Sequence, residues 1–487
     1  MEQYRIFELV FDGCEPASAI FTCGDIKRQV RGFRKGAVSV IRFMPDTVGT
    51  WQYKAECGAE RRSGEFTCTP AEEGNHGPVH AQGFGFSYAD GTRCLPFGTT
   101  CYVWTYQSEK TIASTLSSLE KSAFNKVRMC VFPKFMAFNN DEPSHFPFEK
   151  KGDGWDVTKP DERFWSHFEA CIAALDKRGI EAEIILFHPY DRWGFASLTR
   201  EDSLIYLRYC VRRLSAYKNV WWSLANEYDL LTSKTAEDWD AFGACVAEED
   251  VCRHPVSIHD FCAVYPPRKW MSHVSVQSAY PSRTILWRAK YHLPVIVDEL
   301  GYEGDLPFHW GNLSAKEYVL RMWEAVMGGG YCTHGETFYS EDEIIWWAKG
   351  GTLRGEAVAR VRFLKELLEE LPPLSPAVDL GNLSPDATVD GQFTAFGRAM
   401  EALTASERDE AMADMIPPML IGEGCSLWYL RGCPAWADVS ATGEGEYEAE
   451  VIDAWNMTRK NVGTIKASGR IPLPAREGMA VLLKRKL

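Results

Sequence analysis

Two glutamates that each end an apolar run carry the most chemical promise in this chain. Glu227 closes Val220-Trp221-Trp222-Ser223-Leu224-Ala225-Asn226-Glu227, and Glu299 closes Pro294-Val295-Ile296-Val297-Asp298-Glu299. A short continuous apolar run reads as a strand buried on both faces, as in a parallel sheet. A carboxylate just past such a strand sits at its C-terminal mouth, where a closed parallel barrel does its chemistry. Two of them on separate strands can flank one scissile glycosidic bond. In a retaining mechanism the two groups stand about 5–5.5 Å apart, one protonated and one ionised. Burial and like charge drive their pKa values apart. Glu227 is the candidate acid/base and Glu299 the candidate nucleophile. Asn226 is placed to hydrogen-bond the sugar hydroxyl beside the anomeric carbon. Asp298 alternates to the other face of its strand and points into the structure.

The elements that would position these groups follow from periodicity. Residues 1–78 show short alternating runs at Tyr4–Phe11, Ala37–Met44, Thr50–Cys57 and Gly64–Thr69, which predict a small immunoglobulin-like β-sandwich. From 79 to 372 apolar strands alternate with helical periodicity, the pattern of parallel βα units. Eight strands are expected: Leu95–Tyr106 (with its loop), Asn125–Phe132, Glu181–Phe187, Val220–Ala225, His254–His259, Val274–Ser278, Pro294–Val297 and Gly330–Thr333. The number and spacing fit a (β/α)8 TIM barrel. An open doubly wound sheet is the alternative, disfavoured because no G-x-G-x-x-G opens a unit. Pro160 is expected near the start of one helix and Gly179 past its end, and Ser314-Ala315-Lys316-Glu317 reads as a capping box. Leu371-Pro372-Pro373-Leu374-Ser375-Pro376 marks a boundary. A linker is expected at 373–414 and a small C-terminal β-domain at 415–487, with strands at Cys425–Tyr429, Tyr447–Asp453 and Met479–Leu483.

Composition narrows the partners. The 487 residues carry a net charge of −14, so no basic surface dominates and nucleic acid is not an expected partner. Aromatics are 13% of the chain, with 17 Trp, and aromatic faces suit sugar rings as well as cores. The 15 Cys are irregularly spaced, form no C-x-x-C pair, and include Cys101, Cys130, Cys171, Cys210 and Cys332 within apolar runs, where they act as small hydrophobes. Reduced thiols, a start without a signal pattern and no apolar run of membrane-spanning length favour a cytoplasmic protein with no membrane partner. No cofactor or metal is called for by any motif. A homo-oligomer is compatible with the sequence but not specified by it.

The segment Trp222-Ser223-Leu224-Ala225-Asn226-Glu227 resembles the fourth-strand signature of the large clan of retaining (β/α)8 glycoside hydrolases, and Val297-Asp298-Glu299-Leu300-Gly301 resembles its nucleophile strand. Phe86-Ser87-Tyr88-Ala89-Asp90-Gly91-Thr92-Arg93-Cys94-Leu95-Pro96-Phe97-Gly98-Thr99-Thr100 resembles the leading hairpin and first strand of the apiosidase-like branch, whose multidomain members share the sandwich–barrel–β-domain layout. That resemblance implies hydrolysis of a β-glycoside without fixing the sugar. It also implies that Arg128 neighbours the nucleophile and that Tyr280 hydrogen-bonds it. By location alone, His188 and His259 end the third and fifth strands, and each is as readily a satisfied core residue as a sugar contact. Gln277 on the sixth strand and Glu336 after the eighth are further candidate hydroxyl contacts. Trp104 and Tyr106 after the first strand, and Trp346 and Trp347 after the eighth, are candidates for a platform under the sugar.

Two other classes compete. A metal-dependent TIM-barrel hydrolase is disfavoured because the first strand, Gly98–Trp104, lacks His and no H-E-x-x-H occurs. A non-catalytic carbohydrate-binding protein would have no need of two acidic residues placed as acid and nucleophile. The expectation is therefore a retaining glycoside hydrolase acting on an oligosaccharide or glycoside, with exo action on short chains.

Overall fold

The computed structural model describes residues 1–13, 15–377, 402–415 and 418–486. They form two compact units, Met1–Ser275 with Tyr339–Leu353, and Val276–Phe338 with Arg354–Leu487. One eight-stranded sheet is the frame. Its strands, in chain order, are β1 (Phe97–Thr100), β2 (Lys126–Cys130), β3 (Glu181–Phe187), β4 (Val220–Ala225), β5 (Val256–Ser257), β6 (Val274–Gln277), β7 (Val295–Glu299) and β8 (Tyr331–His334). Their order is β5-β4-β3-β2-β1-β8-β7-β6, the circular succession of a (β/α)8 barrel. A single parallel bridge, His259 to Ser275, joins the chain after β5 to β6. Every residue of β2, β3, β4 and β7 is buried. That explains why these strands read as continuous rather than alternating apolar runs.

Local signals set the helices. Asp161, Thr199 and Thr235 each cap a helix N-terminus with a side-chain oxygen, for Glu162–Asp176, Arg200–Leu214 and Ala236–Glu249. Pro160 lies near the start of a helix as expected, ending the hairpin strand Gly154–Pro160 just before the capping residue Asp161. Gly179 follows that helix with φ +65°, a left-handed stop. Ser314 accepts the Glu317 N–H at 3.2 Å, but the Glu317 carboxylate pairs with Arg321 and Arg431. The full capping box lies at Thr235 and Asp238.

In the first unit, three antiparallel sheets precede the barrel: one of three strands and one of four within residues 7–68, and a further three-stranded sheet of Val79–Gln82, Gly85–Tyr88 and Arg93–Cys94. Leu9, Phe11, Ile41 and Phe43 from the first meet Ala19, Phe21, Trp51 and Ala55 from the second in a common core. Three strands of the first two sheets, Ala17–Cys23, Ile26–Arg31 and Phe33–Lys35, escaped the sequence reading. Arg42 of the strand Val38–Phe43 reaches the helices: it bonds Glu169, the Arg213 carbonyl at 2.9 Å and Glu8 at 2.8 Å. Arg213 in turn holds both Glu169 and Glu162. In the second unit, a six-stranded antiparallel sheet includes Cys425–Leu430, Met479–Arg485 and Tyr447–Asp453. It packs with a two-stranded antiparallel sheet of Trp436–Ser440 and Ser468–Pro472. Much of the expected linker (373–414) lies outside the described residues; its described part holds the short strand Ser375–Pro376 and a helix from Ala405. Among the described residues no helix is long and apolar enough to cross a membrane. Cys101, Cys130, Cys171, Cys210 and Cys332 are buried and outside any disulfide.

Candidate active site

Glu227 lies two residues past the end of β4 and is 5% exposed. Its backbone is left-handed (φ +51°), an uncommon conformation for a residue with a side chain, costing on the order of 1–3 kcal/mol. The conformation lets the chain turn sharply off the strand. The Tyr228 N–H then donates to the His259 carbonyl and the Leu230 N–H to the Glu227 carbonyl, both at 3.0 Å.

The neighbouring Asn226 is fully buried and its amide orientation is determined by its partners. Tyr102 Oη and Arg128 Nη2 donate to Oδ1 at 3.0 and 3.1 Å, so Oδ1 must face them. Nδ2 is then left to donate to Glu227 Oε2, at 3.0 Å. Arg128, fully buried on β2, also lies 3.5 Å from Glu183, which pairs with Lys126. The Trp347 carbonyl accepts the Tyr102 N–H at 3.1 Å, and the Trp347 ring meets the Tyr102 ring edge-on at 6.0 Å. Arg128, Asn226, Glu227 and Trp347 are thus brought together by a residue that the sequence reading missed, Tyr102. Lys134 was also missed. It is buried, with its ammonium 3.2 Å from the Tyr102 ring centre and 4.4 Å from that of Tyr190. The only sequence signal for either was position, just past β1 and β2.

Two histidines sit at neighbouring strand ends. The His259 N–H donates to the Ala225 carbonyl, tying that residue to β4. His188 is buried after β3; its Nε2 lies 3.2 Å from the Phe132 carbonyl and must carry the proton. Burial, helped by the Lys134 charge, lowers its pKa to about 3, so the ring stays neutral. Its Nδ1 has no hydrogen-bond partner among the described residues and is a free acceptor.

Within the second unit, Glu299 ends β7 and is 8% exposed; its carbonyl accepts the Ser278 N–H at 2.8 Å. Asp298 is turned to the other face, where it accepts the Thr333 hydroxyl at 2.5 Å. Gln277 is half-buried at the end of β6. Tyr280 is 63% exposed and its ring packs against the Arg283 guanidinium at 4.9 Å.

The remaining candidates are engaged in the scaffold. Trp104 is fully buried, which leaves no open ring face, and Tyr106 donates its hydroxyl to the Val131 carbonyl. Trp346 donates to Thr99 Oγ1 at 2.8 Å. Glu336 accepts the Arg354 and Gly355 N–H groups at 2.6 and 2.8 Å, and Glu303 accepts those of Glu356 and Ala357 at 2.8 and 3.1 Å. Four successive amides therefore feed two buried carboxylates at the start of the helix Ala357–Glu369. Burial raises both pKa values, that of Glu336 to about 7. With His334 these are the group of ligand atoms, within 4.8 Å of one another, that could hold a metal among the described residues. The converging amides and helix N-terminus favour negative charge there, not a cation.

Comparison with known proteins agrees with this architecture. The family described as "Apiosidase-like, catalytic domain" matches residues 81–374, more than half of the chain, and a domain of unknown function, DUF5605, matches residues 421–484. A candidate glycoside hydrolase from Bacteroides vulgatus ATCC 8482 is 32% identical, with a TM-score of 0.88, over 100% of this chain and 99% of that one. A glycoside hydrolase family 5 protein from the same organism shares the fold at 14% identity and a TM-score of 0.63, covering 84% of this chain and 94% of its own. No curated protein matches the chain. The matched catalytic span and the full-length likeness establish that the chain belongs to the apiosidase-like family of glycoside hydrolases.

Proposed function

We propose that the protein is a retaining β-glycosidase in which Glu227 is the acid/base and Glu299 the nucleophile. The observation that carries the reading is the bond from Asn226 to Glu227 at the end of β4, locked by Tyr102 and Arg128. Glu299 ends β7 of the same parallel sheet, so both carboxylates leave it from the C-terminal edges of their strands. Glu299 attacks the anomeric carbon while Glu227 gives its proton to the departing oxygen. Water, deprotonated by Glu227, then releases the sugar with its configuration retained. Asn226 holds the hydroxyl beside the anomeric carbon, and His188 Nδ1 accepts from another hydroxyl. Arg128 keeps the pocket positive. His259, Gln277, Tyr280, Glu336, Trp104, Tyr106, Trp346 and Trp347 shape or support its walls. The substrate is a short oligosaccharide or glycoside, attacked from its end.

A panel of nitrophenyl glycosides with anomeric NMR of the first-formed product tests this reading. The β-anomer is the expected initial product from a β-glycoside. Glu227→Gln and Glu299→Gln are each expected to lose several orders of magnitude in kcat/KM. Initial α-anomer, near-wild-type activity in either variant, or mainly internal cleavage of a polymer contradicts it.

A further inference from the structure

Aromatic side chains crowd the loops that follow β2, β3 and β8, in the unit that contains Glu227. Phe135 is 38% exposed and Tyr339 54% exposed. Phe135 meets Trp193 edge-on at 6.4 Å, and Phe138 meets Tyr339 at 6.3 Å. The Arg192 guanidinium lies over both the Phe135 and the Trp193 rings, 4.9 Å from each ring centre. Isolated surface aromatics need no explanation, but a clustered set at a barrel's C-terminal mouth does.

This cluster is held rigidly. Glu142 Oε2 accepts both Arg192 Nη2, at 3.1 Å, and Trp193 Nε1, at 3.0 Å. Arg192 also donates to the Asn140 carbonyl at 3.0 Å, and the Phe135 N–H donates to the Tyr190 carbonyl at 2.8 Å. The turn Met136–Asn139 is closed at 3.0 Å with Phe138 at φ +62°, a place where glycine or asparagine ordinarily sits. A bulky aromatic in that conformation is strained, and such strain concentrates at ligand sites.

We propose that these residues form a platform for the leaving-group sugars of a β-linked oligosaccharide. Ring faces stack on the C–H face of a pyranose while Arg192 and Glu142 meet hydroxyls at its edge. An apolar protein partner would have to desolvate that ion pair without supplying polar groups to its remaining donors and acceptors. The platform also connects to the acid/base: Tyr190 contacts Lys134, Lys134 contacts Tyr102, Tyr102 bonds Asn226, and Asn226 bonds Glu227. The acid/base is the group nearest the departing oxygen, so the chain beyond the scissile bond lies on this side. The substrate is therefore an oligosaccharide whose leaving-group side reaches this platform.

The inference rests on the leaving-group role given to Glu227, and its test needs no turnover. Calorimetric titrations of cellohexaose, xylohexaose, mannohexaose and β-1,4-galactohexaose use the full-length protein carrying Glu227→Gln, so that bound chains stay intact. At least one hexasaccharide binds. Adding Trp193→Ala, Tyr339→Ala or Phe138→Asn, which suits the left-handed turn, weakens it roughly three- to tenfold. Trp193→Tyr restores most of the loss, and the matching monosaccharide weakens by less than twofold throughout. Failure of every hexasaccharide to bind, variants that bind as tightly as their parent, or parallel loss of monosaccharide overturns the platform. A protein that binds chains through these residues but cleaves none leaves the platform standing and sinks the hydrolase reading.

Discussion

Replacing Glu336 by glutamine changes how stability depends on pH. The Glu336 side chain is 1% exposed, and Glu303 sits beside it at the start of the helix Ala357–Glu369. Burial raises its pKa from 4.5 to about 7, against the pull of the Arg354 and Gly355 amides. A carboxyl with a raised pKa binds its proton more tightly in the folded chain than in the unfolded one. Below pH 4.5 both states hold the proton and the group costs nothing on this account. Between pH 4.5 and 7 the unfolded chain ionises first, and folding pays progressively to keep the proton. Above pH 7 the full difference, about 3 kcal/mol, counts against the folded state. Glutamine does not titrate, so it removes that slope, including the part that the Glu303 charge contributes. The amide adds a constant offset of about 1–3 kcal/mol, because its NH2 faces a backbone N–H that it cannot satisfy. Thermal melting of wild type and Glu336→Gln from pH 4.5 to 8 at fixed ionic strength separates the two effects. The variant gains on wild type by several degrees as pH rises through that window. Parallel melting curves would refute the reasoning.

Other consequences concern the scaffold and the site. Arg42→Met leaves part of the Glu169 carboxylate and the Arg213 carbonyl without their donor, so it destabilises the first unit by about 3 kcal/mol, read as a lower melting temperature. Tyr102→Phe removes one of two donors to Asn226 Oδ1 and loosens the orientation of Glu227, the proposed acid/base. It lowers kcat/KM on the best nitrophenyl glycoside roughly three- to tenfold while the melting temperature stays within a degree or two.

The barrel was legible because its strands are buried on both faces. Glu181–Phe187 and Val220–Ala225 appear in the structure with the bounds read from the sequence. The fifth strand shrinks to Val256–Ser257, since periodicity marks an apolar run but not which residues pair. Half-exposed strands left weaker signals: Ile26–Arg31 sets only Ile26 and Val30 among Lys27, Arg28, Gln29 and Arg31, so no alternation marks it as a strand. In the candidate site, carboxylates closing apolar strands stood out, and so did Asn226 beside Glu227. Tyr102 and Lys134 did not, because their positions depend on long-range contacts to Asn226 and Tyr190 that no local spacing encodes. Glu336 was noticed for its position after β8, but its tie to four successive amides requires the fold to bring Arg354–Ala357 against it.

The central claim is that Glu299 attacks the sugar. Incubating the enzyme with the 2-deoxy-2-fluoro analogue of its best glycoside, then digesting it for mass spectrometry, tests this directly. The account predicts one sugar attached per chain, on the peptide bearing Glu299, with activity lost in step. A label on another residue, or none on an enzyme that turns over the parent glycoside, would contradict it.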